Sequence, residues 1–157
     1  MPSINKGTLY FHAAYCFSYV EEYEQPEWTF HMVCRECYSE YKRKNDFRPD
    51  PIVKTSSAEL IDYKGSGYDR GHLVPAGDMT KSALFMSESF FMLNMSPQAP
   101  SFNRGIWRKL ESQIREWSTI EDIIFVVTGP VFDTQGSSIG QNKAAVPKAY
   151  NKVLYFK

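Results

Sequence analysis

Between Ser101 and Trp117 the apolar residues Ile106, Trp107, Leu110, Ile114 and Trp117 recur every three or four positions. That spacing puts them on one stripe of an α-helix and on no single face of a strand. A stripe so wide has to lie against a core, and the flanking segments are of the kind that form a sheet. Asp122–Thr128 is an apolar, β-branched run closed by Gly129-Pro130, and a last strand is expected from about Lys148 to Phe156. Upstream, residues 9–20 and 28–33 are rich in aromatic and β-branched types and read as strands, joined by a glutamate-rich turn ending near Pro26. Residues 36–44 suit a short helix, Tyr68–Val74 suits a strand end, and Thr80–Phe91 reads as a helix capped by Thr80. Strands, then helices, then strands predict an α+β fold with a mixed, mainly antiparallel sheet rather than a wound βαβ sheet.

The 157 residues fit one domain, 1–157, and 43% hydrophobic residues suffice for a core. No run of 18 apolar residues is present, so no membrane-spanning helix and no membrane partner are expected. Leu9–Val20, preceded by Lys6, contains His12, Ser18 and five aromatics, which suits a strand better than a signal core. The chain reads as the mature part of a secreted or periplasmic protein whose export signal lies outside it. Net charge is zero but unevenly spread. Residues 1–40 set Lys6 and Arg35 against six glutamates, a net of −4, and residues 41–157 carry 16 basic and 12 acidic groups, a net of +4. Such a split permits a basic face that attracts phosphate. The three cysteines, Cys16, Cys34 and Cys37, lack the second ligand pair that structural zinc needs, and no strand leads into a helix there as in a thioredoxin-type redox motif. They are expected to be buried or idle thiols.

Asp69-Arg70-Gly71-His72 joins an acid, a permanent cation, a flexible point and an imidazole in four residues. Hydrolysis of a phosphodiester needs an activated water, neutralised phosphate oxygens and help for the departing alkoxide. A histidine can take the proton near neutral pH, and an arginine can hold phosphate bidentately. In an extended strand Arg70 and His72 point the same way, and Gly71 between them allows a close backbone approach. Asn94-Met95-Ser96-Pro97-Gln98, then Asn103, Arg104 and Glu111, offer amide and carboxylate oxygens, the hard ligands that magnesium prefers. On an ideal helix at about 100° per residue, Glu111 lies about 80° around from Asn103, and Arg104, Arg108 and Arg115 lie at about 100°, 140° and 120°. His12 and His31 sit among aromatics and are expected in core or edge positions, as are Tyr15, Tyr19 and Trp28.

These motifs, in this order, resemble the DNA/RNA non-specific endonucleases with a ββα-metal core. The resemblance runs from about Tyr15 to Phe156. It is carried by Ser18-Tyr19, the segments 24–28 and 47–50, Asp62 through Leu73, Asn94–Gln98, Asn103–Trp107 and Thr128-Gly129-Pro130. It implies a metal-dependent hydrolase of DNA and RNA with His72 as general base. Asn103 would hold magnesium directly (with manganese as a substitute cofactor), and Glu111 would hold one of its waters. Asn94 would belong to the catalytic set and, with Gln98, organise the site, and Gln98 would contact substrate. Arg70 and Arg115 would contact phosphate, with Arg104 and Arg108 beside them, and Asp69 would support the loop. An upstream transition-state arginine matches Arg43, with Lys44 as its rival. A proteinaceous inhibitor is an implied partner. Relatives continue past the last strand with a further strand and helix, so the chain is short at its C-terminus relative to the family. Two other readings fit the same residues: a nucleic-acid-binding module that has lost catalysis, and a structural domain that binds no divalent metal.

Overall fold

The computed structural model describes residues 2–55, 57–133 and 135–157. Its main element is a five-stranded antiparallel sheet in the order β1-β2-β3-β6-β9, with β1 Thr8–Phe11, β2 Tyr15–Val20, β3 Gln25–Cys34, β6 Ile123–Val131 and β9 Ala149–Phe156. Between β3 and β6 lie α1 Leu60–Tyr63, β4 Asp69–His72, α2 Ala83–Glu88, β5 Met95–Gln98, α3 Pro100–Phe102 and α4 Arg108–Trp117. Strands β4 and β5 make a separate antiparallel pair, and β7 Ser138–Ile139 with β8 Ala144–Ala145 makes a third. The α+β reading therefore holds, on a sheet that is antiparallel throughout.

Period-two alternation sorts the sheet's two faces. Thr29, His31 and Val33 of β3 point inward, as do Ile124, Val126 and Thr128 of β6, and Phe30, Met32, Phe125 and Tyr155 point outward. Helix α4 lays Leu110, Ile114 and Trp117 on the inner face, against Val33, Ile124, Val126 and Leu154. The other inner cluster joins Tyr15, Phe17 and Tyr19 of β2 to Val74, Met79 and Leu93, so the chain around the β4–β5 hairpin is bolted to the sheet. Buried Tyr15, Tyr19 and Trp28 take the core positions expected of them.

Several boundaries differ from expectation. The stretch 9–20 is two strands, because His12–Ala14 turns the chain and the His12 N–H donates to the Tyr15 carbonyl at 2.8 Å. Pro26 lies inside β3 at a bulge where the register shifts between Ser18 and Tyr19, a position that tolerates the missing N–H. Residues 36–44 do not form a helix. A short 3-10 turn, Arg35–Cys37, is followed by irregular chain. There the Ser39 N–H donates to Thr80 Oγ1 at 3.2 Å, so tertiary bonds replace helical ones. Thr80 is thereby taken, and α2 is capped instead by Ser82, whose Oγ accepts from the Phe85 N–H at 3.2 Å. The idle-thiol expectation holds only for buried Cys16, because Cys34 and Cys37 form a disulfide. The end of β3 and the following turn bring those two Cα atoms to 5.0 Å, within bridging range.

Candidate active site

Hairpin β4–β5 pairs Asp69 with Gln98, Arg70 with Pro97, Gly71 with Ser96 and His72 with Met95. Gly71 is required by close approach. A Cβ built there would overlap Cγ, Cδ and Oε1 of Gln98, which crosses beneath the strand and is fully buried. Arg70 and His72 share one face of β4, and both line a cavity of about 450 Å³. The rest of its wall comes from Arg43, Pro75–Gly77 and the helical segment, through Asn103, Arg104, Arg108, Glu111 and Arg115.

The helical segment is not the uniform helix that its spacing predicts. Residues Asn103–Trp107 form a π-helical turn between α3 and α4, with Gly105 at φ −98°, ψ −110°, outside helical values. The wide turn removes Ile106 from the apolar stripe and leaves it 64% exposed. It also turns the stretch toward β4, where Asp69 captures two of its side chains. Asn103 Nδ2 donates to Asp69 Oδ2 at 2.9 Å, and Arg104 grips both carboxylate oxygens, at 2.8 and 2.6 Å. Arg104 holds the Asp69 carboxyl below its usual range, against burial and with help from Asn103. Because a carboxylate only accepts, the contact fixes the Asn103 amide with its NH₂ on Asp69, leaving Oδ1 free to serve a cation. π-turns are rare, and those that occur inside helices are frequently at functional sites.

His72 is held by rings. Its imidazole meets Phe90 edge-on at 4.9 Å and Phe47 at 6.0 Å, and its buried Nε2 has no protein hydrogen-bond partner among the described residues. Burial, then Arg43, then Arg70 push its pKa down to about 3, so the ring is neutral at physiological pH. The two cations are themselves seated on aromatic faces, Arg43 at 4.9 Å over Phe90 and Arg70 at 4.2 Å over Phe47. Arg43 thus lines the cleft, and its rival Lys44 does not; Lys44 lies 5.8 Å over the Tyr41 ring.

Glu111 shares the cavity with Asn103, and burial pushes its pKa up to about 7, opposed most by Lys152. A desolvated carboxylate and an amide oxygen in one cavity form a hard donor set, which fits a magnesium-like cation and would be ionised fully by it. Among the described residues no group of three His, Cys, Asp or Glu side chains could hold a softer metal. Arg115 Nη1 donates to Asp78 Oδ1 at 2.8 Å, while Asp78 Oδ2 is 3.0 Å from His31 Nε2.

Two sequence expectations need correction. Asn94 is buried outside the cavity, and its amide is spent on the chain: Nδ2 donates to the Val74 and Ser89 carbonyls, both at 2.9 Å, and Oδ1 accepts from the Val74 N–H at 2.8 Å. It pins the exit of β4 and so places His72 from behind. Gln98 is also buried, beneath Gly71, with neither amide atom partnered among the described residues, so it is no substrate contact. Two residues behind the cleft, Asp78 and Lys152, escaped the sequence reading, and His31 beside them takes the core position expected of it. His31 and Lys152 occupy inward positions of alternating strands, where a polar residue signals a buried network.

The cleft continues past Arg70. A neighbouring cavity of about 520 Å³ is lined by Arg43, Asn45, Phe47, Leu60, Asp69, Arg70 and Asn103. A third, of about 350 Å³, adds Tyr63, Lys64 and Tyr68. Arg70 and Asp69 border both, so the trough is cationic and part aromatic along its length.

The whole chain, residues 1–157, matches the family model of the DNA/RNA non-specific endonucleases. The chain belongs to this family. As a family member it is 34% identical to the zebrafish (Danio rerio) mitochondrial nuclease EXOG over 92% of this chain and 46% of that protein. It is 37% identical to human mitochondrial endonuclease G over 72% of this chain and 42% of the relative. Among solved structures, EndoG in the crystal structure of the EndoG/EndoGI complex superposes with a TM-score of 0.83 at 28% identity, over 93% of this chain and 66% of that one. This endonuclease-family chain thus spans about half or less of the length of these curated relatives.

Proposed function

We propose that this chain is a divalent-cation-dependent, sequence-non-specific endonuclease that hydrolyses phosphodiester bonds of DNA and RNA, with His72 as general base. One observation carries the reading: a neutral imidazole, a hard-ligand pair and five arginines line one cavity of about 450 Å³. Asn103 Oδ1 would hold the cation, magnesium or manganese, and Glu111 one of its waters. The cation, when bound, supplies charge neutralisation at the phosphate and the leaving 3′ oxygen.

In the mechanism His72 removes a proton from water as the oxygen attacks phosphorus in line with the leaving oxygen. Its low pKa stems from burial and from the charges of Arg43 and Arg70. A phosphodiester placed between Arg43 and Arg70 offsets the two charges that depress it, so base strength rises when substrate arrives. Arg43, Arg70 and Arg115 hold phosphate oxygens, with Arg104 and Arg108 along the edge. None of these contacts reads a base, so sequence preference is low, and attack by external water needs no 2′-hydroxyl. Asp69 keeps Asn103 in place, and Asn94 keeps the strand exit in place. Dedicated control of such an activity fits a protein inhibitor or action outside the cytosol. The Cys34–Cys37 disulfide accords with an oxidising, secreted or periplasmic setting.

The test is plasmid nicking with magnesium, with chelator and with His72→Ala. General base catalysis contributes about 10²–10⁴ in rate, so the variant is expected to lose most turnover and keep DNA binding. Turnover within about tenfold of the unaltered chain removes His72 from the role. A chain that binds DNA yet cuts nothing with either magnesium or manganese is a binding module instead.

A further inference from the structure

Behind the cleft, Lys152 enters from β9 opposite Thr128 of β6. Its Nζ donates to Thr128 Oγ1 at 2.7 Å and reaches the Leu73 carbonyl at 3.4 Å. The same ammonium lies 4.7 Å over the Trp107 ring. No carboxylate approaches it within ion-pair distance among the described residues; Glu111 and Asp78 attract it from farther away. Leu73 follows His72 directly. Trp107 closes the π-turn that carries Asn103, and Glu111 stands one turn beyond it. One cation therefore touches the strand exit that bears the base, the helix that bears the metal ligands and the sheet beneath both.

Stability does not explain this arrangement. A buried ammonium loses its hydration, a cost that an apolar side chain of similar volume does not carry. One hydroxyl, one carbonyl at 3.4 Å and a ring face are weak recompense for that loss. What the ammonium provides is a fixed positive charge and a fixed spacing between two otherwise separate halves of the site. We propose that Lys152 is a positioning residue for phosphodiester hydrolysis, locking the His72 strand to the Asn103–Glu111 helix through Leu73, Trp107 and Thr128. The proposal rests on the nuclease reading above.

Lys152→Met, Thr128→Val and the double variant test it. Each is compared with the unaltered chain for thermal midpoint, for binding of a short DNA duplex in chelator, and for kcat and KM with magnesium. Lys152→Met is expected to keep its midpoint or raise it and to bind DNA within twofold. Its kcat is expected to fall by about 30-fold, the scale on which small misplacement of reacting groups acts, with KM changed less than threefold. Thr128→Val removes the anchor but keeps the charge, and should give a smaller loss in kcat alone. The double variant should be no slower than Lys152→Met, because both act through one contact. A kcat for Lys152→Met within threefold of the unaltered chain overturns the proposal. So does a loss of kcat that tracks a falling midpoint, or additive losses in the double variant, since a merely structural lysine gives those. If Lys152→Met does not fold, Thr128→Val decides: an unchanged kcat refutes the anchor. An unaltered chain that cuts nothing refutes the nuclease reading itself, and is told apart by that control.

Discussion

Gly71→Ala puts one methyl group where the structure has no room. The new Cβ would overlap three side-chain atoms of Gln98, which is fully buried and cannot swing into solvent. Either Gln98 leaves its rotamer or β4 lifts off β5, and overpacking of this kind costs about 1–3 kcal/mol. Gly71 lies between Arg70 and His72, so a lift of about 1 Å also moves both working side chains, a displacement able to cost about 10²-fold in rate. Gln98→Ala alone removes a buried amide with no partner among the described residues but leaves a void. These effects oppose each other, giving a net change of about 0–2 kcal/mol. The double variant provides the missing space, so its stability and rate should recover beyond additivity by about 1–2 kcal/mol. Urea unfolding and plasmid nicking on all four proteins measure both terms. Gly71→Ala within about 0.5 kcal/mol of the unaltered chain, or strictly additive double-variant losses, would refute the claim that close approach explains this glycine.

The remaining predictions concern charge. Folded His72 stays neutral down to about pH 3, whereas an unfolded histidine protonates near 6.5, so the unfolded chain binds more protons between those values. The stability this contributes is complete above about pH 6.5 and is lost on acidification toward 3, at up to about 1.4 kcal/mol per pH unit. His72→Ala should flatten a midpoint-versus-pH curve recorded in chelator, and an unaltered slope would show that the ring is not buried neutral. Asp78→Asn releases Arg115 and unbalances His31; a loss of about 3–5 kcal/mol by denaturation is expected, with a raised KM for DNA in whatever fraction stays folded. Lys64 faces the outer end of the trough. Lys64→Ala should reduce the salt dependence of DNA binding in chelator by about one phosphate contact, and an identical slope would exclude that end of the trough from the binding track.

The α+β class, the helix over 101–117, the strand at 122–128 and the pairing of Arg70 with His72 on one face were all legible, because each depends on local periodicity. The same logic picked out the candidate site, since an imidazole, arginines and hard oxygen ligands are recognisable by type. Local rules failed where a distant residue supplied the deciding contact. Ser39 and Thr80 bond to each other across 41 positions, which ends one expected helix and moves the cap of another. Asp69 pulls Asn103 and Arg104 out of ideal helical phase, so angles calculated at about 100° per residue could not place them. Gln98 and Asn94 looked like site residues by composition, but burial assigns them to support. Sequence by itself determined the α+β class, the long helix with its flanking strand and the residue types suited to phosphodiester chemistry, because periodicity and residue type are properties of neighbouring positions. Only the tertiary structure decided which polar groups face the cleft and that Lys152 lies behind His72. Those facts depend on desolvation and on contacts between segments up to 79 residues apart, which no local pattern encodes.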